Sequence, residues 1–530
     1  MALNRDVRVE MPAHCVMTPK KNGVYVQYTL RAYRNEKGRP TSERVSIGKL
    51  DEESGQLIPN KKYYEIFGKN LQVSLPAVVR SSGSYAAFSG VARELGLIEN
   101  LRKIFSDKAT DILMVAHYMF SEGNVMYYFP DWQEENITFP GRRLSSADLS
   151  RLFAGISYND RVLFFNDWMK RKKENEYIAY DVTSVSSYGK QMENLEWGYN
   201  RDKEKLPQIN FGMYFGEESR LPLYYRIYPG SIPDKAHLRY MTEDNEVISC
   251  KKARFVMDRG FYSAENLLYL VQKGCRFIIA LPGHLKFCLK LIDAHRNEII
   301  NQSECYLGKG KPYGKAYEVT ENGFRMRVHL YYDPYKAICE TESLHDEVER
   351  MERELGEMDS PPDRKLRYDR FFFINRAKDG SLAFRRNPDA INKALSRCGF
   401  FLIGETDFKK SSEDILEIYR SRNVIEKSFD HLKNDIDMRS LHVQRDEVAE
   451  GKMFIAFIAL IVRSYMQNRL RGYMSDHKYT FKKILLELEK SKVICSAHDP
   501  NNGRLLNPPT KTQKDMFDLL GLSWDSESSV

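Results

Sequence analysis

The stretch RFVMDRGFYSAENLLYLVQKGCRFIIALPG, residues Arg254–Gly283, decides the fold class. Its two short apolar runs, RFVM and RFIIAL, have the length and composition of buried strands, and the segment between them predicts a helix. A strand, a helix and a second strand in direct succession are typical of a chain that folds helices against a sheet. An aspartate, Asp258, stands directly after the first of these strands.

The preceding segment extends the same pattern. EYIAYDVTSVSSYG, residues 176–189, begins as an apolar run that leads to Asp181, and INFGMYFGEESRLPLYYRIYPGS, residues 209–231, predicts a hairpin that turns at Glu217–Arg220. The order is therefore strand, hairpin, strand, helix, strand. This order predicts a mixed α/β core.

Three carboxylates are the candidate chemical groups. Asp181 and Asp258 each follow a short apolar strand, and the C-terminal ends of strands in an α/β sheet face the edge at which ligands bind. Glu426 comes from a later predicted helix. Acids from two strands and a packed helix can converge on divalent metal ions, because hard cations such as Mg²⁺ prefer oxygen ligands.

The helix YRSRNVIEKSFDHLK, residues Tyr419–Lys433, carries two stripes. At the angular spacing of a regular helix, the polar stripe is about 60° wide and consists of Tyr419, Arg422, Glu426 and Lys433. The apolar stripe, which we expect to pack on the sheet, consists of Ile418, Ile425, Phe429 and Leu432. Taken singly, a strand-end Asp is often a turn former, and Arg followed by Glu four residues later is an ordinary helical pair. The joint pattern favours a metal site flanked by groups that hold a polyanion.

Composition sets the broad class of the protein. A chain of 530 residues with 42% hydrophobic residues predicts several globular domains. The net charge is +8, and residues 1–80 alone carry 14 Lys/Arg against 8 Asp/Glu. The start of the chain lacks a signal peptide, and the longest apolar run, MFIAFIALIV, is too short to span a membrane. The eight cysteines include no C-x-x-C pair, which favours reduced thiols in the cytoplasm.

Several motifs resemble those of one enzyme family. YDVTSVSSYG around Asp181, MDRGFYSAENL around Asp258, and the Y-R-E-K signature at Tyr419, Arg422, Glu426 and Lys433 are similar to the DDE transposases of bacterial insertion sequences, in the insertion sequence four group and its relatives. The resemblance implies a ribonuclease H-like catalytic core, interrupted before the glutamate by a mainly β insertion. It also implies two Mg²⁺ or Mn²⁺ ions per active site, roughly 3.5–4 Å apart, held by Asp181, Asp258 and Glu426.

The pattern and the resemblance together predict a division of the chain into six segments. They are a basic β-rich region (1–80), a helical DNA-binding region (81–165), the first part of the catalytic core (166–285), the insertion (286–400), the second part of the core with the Y-R-E-K helix (401–440) and a helical C-terminal region (441–530).

The predicted function is DNA transposition: cleavage at the ends of an insertion sequence and joining to target DNA. Tyr419, Arg422 and Lys433 are expected to contact DNA phosphates. The expected partners are double-stranded DNA and a second copy of the chain, and the expected location is the bacterial cytoplasm at the nucleoid. Three alternatives stay open: a related metal-dependent DNA nuclease, a DNA-binding regulator derived from a transposase, and a glycosidase that uses paired carboxylates.

Overall fold

The computed structural model describes residues 7–34, 38–67, 77–200, 204–248, 250, 252–358, 367–376, 382–496 and 499–523. The chain divides into two compact units. The first contains residues up to Val78 together with Ile494–Gly503, and the second contains Val79–Val493 and Arg504–Val530.

The first unit is built on a four-stranded antiparallel sheet, as the sequence predicts for residues 23–60. Its elements are β1 (Cys15–Lys20), β2 (Gly23–Arg34), β3 (Pro40–Leu50), β4 (Leu57–Pro59) and helix α1 (Lys61–Phe67). A small apolar core lies against the first half of β2, where Val26 is buried and Tyr28 contacts Phe67. The far half of β2 is exposed on both faces, and Leu30 is 49% exposed. The apolar core of this unit therefore covers only the first half of β2.

The second unit begins with a helical region, which confirms the helices predicted between residues 84 and 160. After strand β5 (Ala77–Ser81), the helices are α2 (Gly83–Glu94), α3 (Leu97–Phe105), α4 (Ala109–Ser121), α5 (Phe129–Glu135), α6 (Ser146–Ala154) and α7 (Tyr158–Trp168). Ser145 caps α6: its side chain accepts a hydrogen bond from the backbone N–H of Asp148. Gly96 separates α2 from α3, and its φ of 63° is readily adopted only by glycine.

The central sheet follows in the predicted order. Its first elements are β6 (Ile178–Ser186), β7 (Gln208–Gly216), β8 (Pro222–Pro229), α8 (Asp234–Val247), β9 (Arg254–Met257), α9 (Ala264–Gln272) and β10 (Arg276–Leu281). β6, β9 and β10 are parallel, whereas β7 and β8 form the antiparallel hairpin. Helix α8 was not predicted, because its many charged residues hide the apolar periodicity of a helix.

Residues 286–400 are predicted as an insertion outside this core, and the structure shows that part of them joins it. The segment contains α10 (Lys286–His295), β11 (Tyr313–Glu321), β12 (Phe324–Tyr332), α11 (Pro334–Gly356), β13 (Phe372–Arg376), β14 (Leu382–Arg386), α12 (Pro388–Leu395) and the start of β15 (Phe400–Glu405). β12 pairs with β15, and β15 pairs with β10. Within the described residues the sheet therefore has eight strands, in the order β11-β12-β15-β10-β9-β6-β7-β8.

A second apolar core gathers α11, β13 and α12, away from the main core of this unit. It contains Val348, Met351 and Phe371, all buried. This part, roughly residues 334–395, keeps its own core, whereas β11 and β12 extend the central sheet because their backbones continue the hydrogen bonding of β15. The segment also contains three helices, so it is less purely β than predicted.

The predicted helix over Tyr419–Lys433 is present but not continuous. Residues 412–435 form α13 (Ser412–Ser421), α14 (Asn423–Asp430) and a π-helical turn at His431–Asp435. Ser411 caps α13 by accepting a hydrogen bond from the backbone N–H of Asp414. Ile425, Phe429 and Leu432 are buried, which confirms most of the apolar stripe, while Ile418 is half-buried. The break at Arg422 separates the two halves of the polar stripe.

The C-terminal elements are α15 (Asp446–His477), α16 (Phe481–Leu488), β16 (Lys492–Ser496), β17 (Asp499–Leu505) and α17 (Lys511–Leu520). The prediction that residues 441–530 are helical is therefore corrected, because the two strands pair with each other. The apolar run Met453–Val462 lies inside α15 and is fully buried, as predicted. In the described part of the chain, no helix is both long and apolar enough to cross a membrane. All eight cysteines are free thiols, and five of them are buried.

Helix α15 crosses α6 at a close contact that requires glycine. A Cβ atom on Gly451 would lie 2.0 Å from the backbone oxygen of Phe153. We expect Gly451→Ala to lower the free energy of unfolding by about 1–3 kcal/mol, because two packed helices would have to separate.

Urea unfolding of two glycine variants of α15 tests this contact. A Cβ added to Gly472, on the same helix, would have no atom of the described residues within 4 Å, so Gly472→Ala is the matched control. It should raise stability by about 0.5–1 kcal/mol, because alanine favours helix over glycine. Equal effects of the two variants would contradict the close crossing.

Candidate active site

Asp181 and Asp258 stand on neighbouring parallel strands at equivalent positions. β6 and β9 pair in register up to Tyr180 and Met257, and the two aspartates are the next residues along each strand. Asp258 follows β9 directly, as predicted. Asp181 does not end its strand, which corrects the prediction: β6 continues to Ser186 because β7 keeps pairing with it. Asp181 lies instead at the point where β9 stops pairing with β6.

The two aspartates differ in exposure. Asp181 is buried, and its Oδ1 accepts a hydrogen bond of 2.8 Å from the backbone N–H of Val182. Asp258 is half-buried and is followed by a short 3₁₀ turn, Arg259–Phe261, which leads the chain out of the sheet. Both carboxylates therefore lie where the parallel pairing of β6 and β9 ends, although only Asp258 stands at the end of its strand.

Tyr419 connects α13 to the second aspartate. Its hydroxyl donates a hydrogen bond of 3.1 Å to Oδ1 of Asp258. Burial, reinforced by the charge of Asp258, raises the pKa of Tyr419 to about 12. The phenol is thus protonated at neutral pH and acts as a donor to the carboxylate.

Arg422 stands at the centre of the acids. It is only 8% exposed; its Nη2 lies 2.8 Å from Oε1 of Glu426, and its Nη1 lies 3.9 Å from Oδ2 of Asp181. Burial by itself would lower the pKa of the guanidinium, but Tyr419, Asp258, Glu426 and Asp181 together raise it above its ordinary value. Its Nε is buried and has no hydrogen-bond partner among the described residues. Arg422 therefore supplies the positive charge among three carboxylates.

Glu426 and Lys433 occupy different environments on the later part of the helix. The Glu426 side chain is 51% exposed, one turn beyond Arg422. Lys433 lies in the π-helical turn and is only 6% exposed, so the regular helical spacing used for the sequence prediction does not apply to it. One network of contacts thus joins Asp181, Asp258, Glu426, Tyr419 and Arg422. A phosphate contact by Lys433 stays a prediction.

The donor chemistry of this network fits a divalent cation. Its three acids offer only carboxylate oxygens, the ligands that Mg²⁺ and Mn²⁺ prefer. In the residues that the structure describes, no three His, Cys, Asp or Glu side chains are grouped closely enough to hold one ion. The guanidinium of Arg422 lies between Asp181 and Glu426 in this arrangement. The half-exposed side chain of Glu426 is the acid with the most freedom to turn towards the two aspartates.

A cavity beside the aspartates is a feature that sequence reasoning missed. It has a volume of about 330 Å³ and is lined by residues next to both acids, including Val182, Thr183, Ser184 and Gly260. Asn210 on β7 and the exposed ring of Tyr199 complete part of its wall. The only sequence signal was the run of hydroxyl residues after Asp181. The polar part of its lining consists of hydroxyl and amide side chains, and no acid of the network lines it.

Removal of the Tyr419 hydroxyl tests its role in the network. We expect Tyr419→Phe to slow the reaction of this site about three- to tenfold, because one hydrogen bond that orients Asp258 is lost, worth about 1 kcal/mol. Tyr335→Phe is the control, since that ring is exposed on α11. The Tyr335→Phe variant should keep the wild-type rate. A wild-type rate for Tyr419→Phe as well would contradict an orienting role for Tyr419.

A comparison with protein families identifies the family of the chain. A family model described as "Transposase DDE domain" matches residues 172–462, which is more than half of the chain and includes all three acids. No curated protein matches the chain. Among solved structures, the chain is similar to one described as "Cryo-EM structure of piggyBac transposase synaptic complex with hairpin DNA", at 10% sequence identity and a TM-score of 0.33, over 77% of this chain and 70% of that one.

Proposed function

Because this chain belongs to the family of DDE transposases, enzymes that cleave and transfer DNA strands, we propose that it cuts at the ends of an insertion sequence and joins them to target DNA. The observation that carries the proposal is the network of Asp181, Asp258 and Glu426 around Arg422 at one margin of the sheet. Three acids that are remote in the chain, and that are linked through a buried arginine and a tyrosine, are suited to a reaction at a phosphodiester.

The architecture supports a ribonuclease H-like catalytic core. In this proposal the core comprises residues 166–285 and 401–440, that is, the mixed sheet from β6 to β10 and the helix that carries Glu426. Its support is the mixed strand order, in which two antiparallel strands flank three parallel ones. Residues 286–400 form the insertion, of which β11 and β12 have been added to the core sheet.

In this proposal Asp181, Asp258 and Glu426 would hold two Mg²⁺ or Mn²⁺ ions, which would supply Lewis-acid activation of the attacking hydroxyl and charge neutralisation at the reacting phosphate. The protein's own part is positioning, because phosphoryl transfer needs little covalent help. Tyr419 orients the carboxylate of Asp258 by donating to its Oδ1. Arg422 orients Glu426 and lowers the electrostatic cost of three acids in one place.

Arg422 is also proposed to contact a phosphate of the bound DNA. Its buried guanidinium keeps one N–H, at Nε, without a partner among the described residues. Phosphate oxygens accept such donors strongly, and arginine matches their geometry. Arg422 is therefore suited to hold the scissile phosphate beside the acids, and Tyr419 and Lys433 are proposed to position neighbouring phosphates.

DNA is the proposed partner, and two copies of the chain would act on the two ends of the element. The first 80 residues hold most of the excess positive charge, and Arg31, Arg34 and Arg44 are exposed on the sheet of the first unit. Exposed arginines on a sheet contact phosphates without regard to base sequence. We propose that residues 1–80 and the helical region 81–165 bind DNA, and that residues 441–530 support the core.

A strand-transfer assay tests the function directly. The probe is a labelled duplex that carries the terminal sequence flanking the gene, incubated with supercoiled plasmid and Mg²⁺, and the joined product is separated from nicked product on a gel. We expect joined product from the wild type and none after EDTA treatment. Nicks without joining would favour a nuclease, and binding without any cleavage would favour a regulator; either outcome would overturn the proposal.

A further inference from the structure

The side chain of Lys452 is a buried amine outside the catalytic network. Lys452 lies on α15 and is only 1% exposed. Its Nζ donates hydrogen bonds of 2.9 Å to Oδ1 of Asn124 and 2.7 Å to the backbone oxygen of Leu441. Buried lysines are rare, because removing an ammonium group from water is costly unless other groups compensate. The burial of this lysine therefore needs a structural or functional explanation.

Asn124 completes a clamp on the same piece of chain. This fully buried side chain follows α4, and its Nδ2 donates to the backbone oxygens of Asp437 and Ser440, the latter at 3.0 Å. The preceding Gly123 has a φ of 110°, and a Cβ there would lie 3.4 Å from Cβ of Asp437. Asn124 and Lys452 together satisfy three backbone carbonyls of residues 437–441, which we name the clamped segment.

The clamped segment is connected to both sides of the active site. It closely follows the π-helical turn, which itself follows the helix of Glu426. It also pairs with β6, the strand of Asp181: the N–H of Ser186 donates to the oxygen of Arg439 at 2.9 Å, and the N–H of Leu441 donates to the oxygen of Ser186 at 3.2 Å. The segment thus ties the end of the Glu426 helix to the strand of Asp181.

We propose that Lys452 and Asn124 are positioning residues, which set the distance between Glu426 and the two aspartates by holding the clamped segment against β6. The inference rests on the proposed function and adds two residues that touch neither DNA nor the acids. A helix that carries a catalytic acid needs an anchor at each end, and small displacements of a reacting group reduce rates severely. Arg422 and Tyr419 anchor the start of α14, and the clamp anchors its end.

The charges around Lys452 make the clamp sensitive to pH. Burial lowers the pKa of Lys452 to about 7, although Asp437 in the clamped segment acts in the opposite direction. His442, just beyond that segment, has a lowered pKa, mainly from burial and also from the charge of Lys452. Asn124 contributes an uncharged amide. As pH rises through about 7, Lys452 therefore loses its proton, and the bond to the Leu441 oxygen becomes a weaker one from a neutral amine.

The test compares Lys452→Met and Asn124→Asp with the wild type and with Arg471→Met, a control at an exposed position of the same helix. Cleavage rates are measured at saturating duplex DNA with Mg²⁺ between pH 6 and 9, and DNA affinity is measured by fluorescence anisotropy. We expect both clamp variants to slow cleavage about ten- to a hundredfold while DNA affinity changes less than about twofold. The ratio of wild-type to Lys452→Met rates should fall as pH rises through about 7.

Lys452→Gln provides the rescue arm, because its amide can still donate to the Leu441 oxygen, and it should recover part of the lost rate. Circular dichroism and the thermal unfolding midpoint show whether each variant is folded. Full activity of folded Lys452→Met, or a loss of rate that only follows a loss of folded protein, would overturn the proposal. Absence of cleavage by the wild type would instead contradict the proposed function, and the same rate measurements reveal it.

Discussion

Asp181→Asn and Asp258→Asn should each lower DNA cleavage and strand transfer at least about a thousandfold. Both substitutions keep the size of the side chain but remove a negative charge that the proposed metal ions require. The two residues stand at equivalent positions of paired strands. Each is expected to supply its own ligand oxygens, so neither can replace the other. The measurement is the rate of strand cleavage on a labelled terminal duplex with Mg²⁺, followed over hours to capture slow products.

Metal binding gives this prediction a second readout. Mg²⁺ or Mn²⁺ should raise the thermal unfolding midpoint of the wild type, because a ligand that binds only the folded state stabilises it. The rise should be much smaller in Asp181→Asn. Asp476→Asn, an exposed position at the end of α15, is the control and should keep both the rate and the metal-dependent rise. Cleavage by Asp181→Asn at the wild-type rate would remove this residue from the site.

Arg422→Met should lower cleavage about a hundred- to a thousandfold, the effect expected when one preorganised charge is removed from a reacting centre. The buried guanidinium contacts Glu426 and lies near Asp181, so its loss removes both the orientation of Glu426 and a proposed contact to the scissile phosphate. Arg422→Lys should recover little, because one ammonium cannot reproduce the planar fork of donors. The measurement is the single-turnover cleavage rate at saturating DNA.

The same variant should reveal the electrostatic role of Arg422 in the protein without metal. With three acids and no guanidinium, Arg422→Met should lose about 1–3 kcal/mol of unfolding free energy at pH 7, and part of that loss should return when Mg²⁺ is added. Arg420→Met is the control, because that neighbouring side chain is exposed. Identical stability of Arg422→Met and wild type would contradict this balance of charges.

Much of the candidate site followed from local patterns. An apolar run that leads to an acid predicted the strands of Asp181 and Asp258, because strands buried on both faces are apolar almost throughout. The Y-R-E-K spacing predicted that Tyr419, Arg422 and Glu426 share one side of a helix. The structure breaks that helix at Arg422, but Tyr419 still donates to Asp258, and Arg422 contacts Glu426 and lies near Asp181. These features depend on backbone periodicity, which neighbouring residues alone determine.

Other features depended on partners that are remote in the chain. The position of Asp181 within a longer strand follows from pairing with β7, and the membership of β11 and β12 in the central sheet follows from pairing with β15. The π-helical turn changes the direction of Lys433 relative to a regular helix. None of these has a local signature, because a strand or helix of the same sequence is compatible with several neighbours.

The amino-acid sequence by itself determined the order of the core strands β6 to β10 and the position of Asp258 directly after one of them, because these follow from hydrophobic periodicity and chain direction. Only the tertiary structure decided that Arg422 lies among the acids and that Lys452 and Asn124 hold the clamped segment. A buried charge takes whichever partners the packed chain brings within hydrogen-bond distance, and those distances exist only after residues hundreds of positions apart have come together.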